Sequence, residues 1–348
     1  MESASATGEV PRVRKTIAGG ALAPDTLPGL AAAAAIAAIA FYLARFAPIL
    51  GAPVIAILLG VLIRSVVSLP IALAPGIKYA SKKVLQGAII VSGFGISLAS
   101  IAKTGLGTLP VTLGTIAVAL ALAPIAGRLL RLDGAVRQLV SVGTAICGAS
   151  AIAAVSAVIE PDEADVALAI ATIFFYNIVA VLLFPLVGHA LDMSQRQFGI
   201  WAGTAINDTS SVVAAGFAYG HVAGQEATIV KLTRATLILP IVGAIAAVRA
   251  RRAQTAGATI PWKKIVPWFI LWFLVAALVN SVGWIPIAWH GGIAIAATYL
   301  ISVALAAIGL QTALRQLLRT GIRPLALGFV LWVAVAVSSL AIQHWTHL

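Results

Sequence analysis

Five polar residues in a row, Asn207-Asp208-Thr209-Ser210-Ser211, interrupt an apolar stretch of about twenty residues near its middle. An ionised carboxylate at membrane depth costs several kcal/mol unless a partner or water receives it. No helix can turn five consecutive polar side chains away from lipid, so this stretch must face protein or water. Asn, Asp, Thr and Ser are also the residue types that cap helix N-termini. The pattern predicts a helix broken near the midplane, with half-helix amides free to bind an anion. The alternative is a capped kink in which Asp208 pairs with a neighbour and carries nothing.

Two cations complete the chemistry. Lys231 and Arg234 stand three residues apart, on one face of a further apolar helix. With Asp208 they leave a surplus of one positive charge, which suits a planar or tetrahedral oxyanion. A structural Arg234–Asp208 ion pair is the alternative. A milder copy of the polar break lies upstream, in Gly143, Thr144, Cys147, Gly148 and Ser150. Residues 143–150 read GTAICGAS and residues 203–210 read GTAINDTS, so GTAI and the final Ser repeat at an offset of 60. These small residues allow either close packing or an unwound stretch lining a cavity. Tyr176 and Asn177, in the span between the two copies, stand behind the site. The expected anion-binding set is Thr144, Cys147, Gly148, Ser150, Asn207, Thr209, Ser210, Ser211, Lys231 and Arg234, with Asp208 taking up H+ or Na+. Cys147 alone reads as a packing residue rather than a nucleophile.

Lipid must be the solvent around these residues. Of 348 residues, 61% are hydrophobic and 10% charged, and mean hydropathy is +1.05. A soluble domain is about 45–50% apolar and about 25% charged, so a globular cytosolic enzyme is excluded. Eleven stretches are long and apolar enough to be read as spans: 27–44, 53–69, 83–101, 107–127, 137–158, 164–187, 198–217, 227–248, 265–282, 291–310 and 324–343. The expectation is an all-α polytopic membrane protein of about 11 transmembrane helices, with residues 1–26 as a tail and 27–348 as one transmembrane domain. Under this count nineteen of the 23 Lys and Arg fall on one face, two on the other, and two inside a span. That asymmetry places the N-terminus in the cytoplasm and the C-terminus outside. It also explains the net charge of +12 without nucleic acid. The acidic turn Glu160 to Asp165 then faces outward. Asn280 and Gln311 are read as facing headgroups or loops.

Two repeats are visible. The GTAI pair joins the fifth and seventh spans, which run in the same direction on an eleven-span count. The second relates Gly93–Leu109 to Gly309–Leu325 at an offset of 216, between spans of opposite direction. An inverted repeat marks secondary transporters. No GxxxxGK[ST], HExxH or GxSxG motif occurs, and neither the five histidines nor the single cysteine shows ligand spacing. No metal, cofactor or enzymatic activity is expected. An intramembrane enzyme would have only Ser210 or Ser211 beside Asp208, without a nearby histidine. A passive anion channel is the other reading, but it needs a continuous polar stripe, and here one midplane cluster stands between apolar ends.

The segments GTAICGASAIAA (143–154), FFYN (174–177), GTAINDTSSVVAAG (203–216) and KLTR (231–234) resemble the YeiH-like family of bacterial inner-membrane proteins, described as sulfate exporters. The resemblance runs from about residue 30 to residue 343. It implies the fold of the cation:proton antiporter and anion transporter superfamily, with inverted repeats, crossing broken helices and an elevator-like mechanism. That superfamily relates spans five apart, whereas the second repeat here relates spans seven apart. The function implied is export of a small inorganic or organic anion, such as sulfate or another sulfur oxyanion, coupled to H+ or Na+ in the inner membrane. A homodimer is expected by analogy.

Overall fold

A computed structural model describes residues 24–46, 51–253, 268–312 and 321–348; among these residues the secondary structure is helical and no strand occurs. In chain order the helices are α1 (Leu27–Leu43), α2 (Gly51–Val66), α3 (Ile71–Gly93), α4 (Leu98–Gly107), α5 (Leu109–Leu129), α6 (Gly134–Ala145) and α7 (Ala149–Ile159). They continue as α8 (Glu163–Ala190), α9 (Gln195–Ala205), α10 (Thr209–Tyr219), α11 (His221–Thr236), α12 (Ile238–Ala253), α13 (Trp268–Ser281), α14 (His290–Gln311) and α15 (Ile322–Thr346). The protein is an all-α polytopic membrane protein. Most of the N-terminal tail and the 313–320 part of the second repeat lie outside the described residues.

The eleven apolar stretches are not eleven straight helices. Among the described residues six helical segments are long and apolar enough to cross a membrane, and the bent pair α3–α4 makes up to seven. That pair turns by 107° between Gly93 and Leu98, inside the stretch 83–101. Helices α2 and α13 have 16 and 14 residues, about 24 and 21 Å at 1.5 Å per residue, shorter than a hydrocarbon core of about 30 Å. The stretches 137–158 and 198–217 each fold as two half-helices.

Those two stretches are hairpins, and this corrects the reading of them as spans. In the second, α10 returns to where α9 began. The Tyr219 hydroxyl donates to the Met193 carbonyl, and the Phe198 and Tyr219 rings stack at 3.9 Å. Gln195 closes the base, its Oε1 accepting from Val222 N at 3.0 Å and Ala223 N at 3.2 Å. These are two of the first amides of α11, which have no partner within their helix. A Ser194–Gln197 capping box starts α9. In the first hairpin, residues equally far from the tip meet: a Cβ at Gly143 would lie 3.0 Å from Ile152. At its base the Asp133, Asp162 and Asp165 carboxylates stand close enough to interact.

Helix α8 connects the two bases. The first hairpin opens at the end of α8 where Glu163 stands. The second opens at the other end, where Gly188 packs against Phe198 and Tyr219. The hairpins therefore enter from opposite ends and point at each other. The GTAI repeat is inverted, not parallel as an eleven-span count requires. The acidic turn at 160–165 consequently shares an end with Arg128, Arg131 and Arg137, rather than facing away from them.

The apolar core has two main parts. Ala33, Ala37, Ile55, Ala56, Ile77 and Ala306 belong to a bundle of α1, α2, α3 and α14. Its backbones approach closely at glycine: a Cβ at Gly60 would collide with the Ala306 carbonyl, and one at Gly309 with the Ile57 carbonyl. The larger part surrounds both hairpins and includes α5, α8, α11 and α15.

Candidate functional site

The chemistry gathers where the hairpin tips meet. The backbone at the first tip turns at Gly148, with φ +67°, a region that side chains other than glycine rarely adopt. A Cβ there would lie 3.3 Å from the Asp208 Cβ. The two tips are thus in van der Waals contact. Beside them, at the middle of α8, Asn177 Oδ1 accepts from the Asp208 amide at 3.2 Å. Tyr176 points elsewhere, its hydroxyl donating to the Leu325 carbonyl at 2.7 Å.

Each tip presents a carbonyl end and an amide end. The carbonyl ends of α6 and α9 carry the negative ends of two half-helix dipoles, each equivalent to about half an elementary charge. Lys231 and Arg234, both fully buried at 0% exposure, sit on these ends. Lys231 Nζ donates to the Ile146 carbonyl at 3.0 Å and the Ile206 carbonyl at 2.8 Å. Arg234 donates from Nε to the Ala145 carbonyl at 2.8 Å, from Nη2 to the Thr144 carbonyl at 2.9 Å and from Nη1 to the Thr204 carbonyl. The two cations together bridge both hairpins. No Arg234–Asp208 ion pair is present.

The amide ends face the other way, into a cavity of about 740 Å³. Ser150, in the first turn of α7, lines it, and α7 has no side-chain cap. Asp208, Thr209 and Ser210 line it from the second tip. Asp208 caps α10: its Oδ2 accepts from the Ser210 amide at 2.9 Å and from the Ser210 hydroxyl. The site residues expected from sequence thus divide in three. Ser150, Asp208, Thr209 and Ser210 reach the cavity. Thr144, Cys147, Gly148, Asn207 and Ser211 form or flank the tips, with Thr144 Oγ1 and Asn207 Oδ1 buried without a hydrogen bond. Lys231 and Arg234 stand on the tips' carbonyl ends.

Sequence reasoning missed the opposite wall. Ser81, Lys82 and Gln86 of α3 line the cavity, as do Gln311 and Thr312 at the end of α14. Lys82 lies in a π-helical turn, Ala80–Val84, a distortion frequent at functional sites. Among the described residues it is the one cation in the cavity wall. Gln311, exposed at the edge of the cavity, donates from Nε2 to the Ile77 carbonyl at 3.1 Å and to Ser81 Oγ at 2.7 Å. Asn280 Oδ1 pairs with His290 Nε2 at 3.0 Å. The available signal was the four-residue spacing of Lys82 and Gln86, which puts both on one helix face.

The family model described as "Conserved hypothetical protein 698" matches residues 28–328. The chain belongs to this family. It is the YeiH-like family whose motifs lie at the two tips and on α11. The relatives include UPF0324 membrane proteins of Streptococcus pyogenes serotype M3 (41% identical, covering 91% of this chain and 96% of the relative) and Clostridium tetani (36%, covering 90% and 96%). One from Streptococcus pneumoniae strain R6 is 38% identical, covering 90% of this chain and 96% of the relative. No solved structure matches the chain.

Proposed function

We propose that the protein is a secondary transporter of a small oxyanion such as sulfate or another sulfur oxyanion, coupled to H+ or Na+ by alternating access. The observation that carries this reading is the pair of inverted hairpins meeting tip to tip at the base of a cavity. Their amide ends face the cavity and their carbonyl ends are held by two buried cations. Such a site is half of a transporter's apparatus: irregular backbone at membrane depth, tolerated only where it lines a cavity.

In this reading Ser150, Thr209, Ser210 and the half-helix amides bind the anion. Lys231 and Arg234 offset the carbonyl ends and hold the tips together, so the positive ends are left for the substrate. Asp208 couples. As a carboxylate it repels the anion and occupies the Ser210 amide. Neutralised by H+ or Na+, it does neither, so cation and anion bind together and the two gradients set the direction. The resemblance points to export, which this co-transport performs when the outward anion gradient exceeds the inward cation gradient. Among the exposed residues lining the cavity are Lys82, Ala167 and Gln311, which in this reading puts the mouth toward the end where α8 begins. With the short helices α2 and α13 still taken as crossings, treating the hairpins as returning moves only Arg196 to the charge-poor face. The end with the cavity mouth is therefore cytoplasmic in this reading, in the inner membrane, with the N-terminus inside and the C-terminus outside. A homodimer remains the expected assembly.

Labelled sulfate flux into proteoliposomes, with and without a pH or sodium gradient, tests this. Gradient-dependent flux in the wild type that becomes gradient-independent or is lost in a folded Asp208→Asn variant supports it. Absence of flux with sulfate, sulfite and sulfonates alike in correctly reconstituted wild type sinks it.

A further inference from the structure

The cavity is large for sulfate and its walls are mostly apolar. At about 740 Å³ it falls in the range of about 300–1,000 Å³ typical of sites that enclose organic ligands. Phe174, Ile170 and Ala171 of α8, Phe269 of α13, and Leu85 and Ile89 of α3 line it. An inorganic dianion gains nothing from such walls and needs donors around all its oxygens. Moreover, among the described residues the wall offers one cation, Lys82, and with Asp208 neutralised by its coupling ion that single charge balances a monoanion and not a dianion. Lys231 and Arg234 are committed to carbonyls and fully buried, so they cannot add to Lys82.

We propose that the substrate is an organic monoanion, a sulfonate or carboxylate with an apolar body, whose head is received by Lys82 and whose body packs on Phe174, Phe269 and Ile170. Gln86, four residues on in the same wall, supplies a neutral donor beside Lys82. This proposal rests on the transporter reading and names its substrate class.

Binding of labelled benzenesulfonate to the full chain in lipid nanodiscs, with empty nanodiscs as the control, tests it by competition. From methanesulfonate to butanesulfonate the affinity should rise about threefold to fourfold per methylene, the worth of a buried CH₂. Sulfate should compete far more weakly, and butylammonium, with the same body and the opposite charge, should not compete. Lys82→Gln should weaken every sulfonate by about tenfold while keeping the gain per methylene. Phe174→Ala should flatten the chain-length series. Sulfate competing as well as butanesulfonate overturns the proposal and leaves the transporter reading intact. Equal competition by butylammonium overturns it too, because the cavity would then select apolar bodies without regard to charge. If labelled sulfate and labelled benzenesulfonate both fail to bind a wild type with a cooperative thermal transition, both readings fall.

Discussion

Gly148 and Asp208, sixty residues apart in the chain, meet tip to tip near the middle of α8, so closely that a methyl group on Gly148 would lie 3.3 Å from the Asp208 Cβ. The contact joins two hairpins that enter from opposite ends, and it places both uncapped polarity and a carboxylate at one point. Everything the site can do depends on that junction.

Gly148→Ala should destabilise the protein by about 1–3 kcal/mol, because the added Cβ meets a backbone at φ +67° that favours glycine. It also crowds Asp208 and Ile173. A lowered thermal midpoint in detergent, with flux reduced at equal protein, is the expected result. An unchanged midpoint would mean that the tips do not touch.

Lys231→Met removes two charge-assisted hydrogen bonds from hairpin carbonyls. Since it also removes a buried charge, the net loss should be about 2–4 kcal/mol. Arg234→Lys should lose nearly as much, because a single ammonium cannot span the Thr144, Ala145 and Thr204 carbonyls that the guanidinium fork reaches. Thermal unfolding monitored by the Trp fluorescence checks both. A neutral effect of either change would remove that residue from holding the tips together.

Asp208→Asn should leave stability nearly unchanged, since Asn caps helix N-termini about as well as Asp. Coupling should nevertheless disappear, because an amide neither ionises nor repels the anion. Flux that keeps its full dependence on the gradient would remove Asp208 from the coupling role.

Topology gives a prediction independent of transport. With Cys147 replaced by Ala, single cysteines at Arg131 and Asp162 flank the first hairpin, and cysteines at Asp192 and the exposed Val222 flank the second. An impermeant maleimide should label Arg131→Cys and Asp162→Cys from one side of the membrane, and the other two from the opposite side. Labelling of Arg131→Cys and Asp162→Cys from opposite sides would restore a crossing there.

Gln195→Leu should loosen the base of the second hairpin. Two amides of α11 lose their acceptor, at a cost of about 1–2 kcal/mol. Faster amide hydrogen exchange at Val222 and Ala223 would report it, and unchanged exchange would argue against the hairpin's closed base.

Composition determined the solvent and the class of secondary structure. Long apolar runs have to satisfy their backbone internally, which in lipid leaves helices, and they were read from residue type alone. Local chemistry also marked the breaks: five consecutive polar residues at 207–211 cannot lie on a lipid-facing helix, and the GTAI repeat pointed to a partner at 143–150. Direction was not legible. A broken crossing and a re-entrant hairpin have the same length, the same apolar flanks and the same polar centre; they differ only in whether the second half turns back. That is decided by contacts between residues distant in sequence, such as Tyr219 with Met193, Gln195 with Val222, and Gly148 with Asp208. The same limit governed the cations. Lys231 and Arg234 were identifiable as buried charges from their spacing in an apolar helix. Only tertiary structure could decide that their donors go to hairpin carbonyls, leaving Lys82, sixty-three or more residues from either tip, to face the cavity.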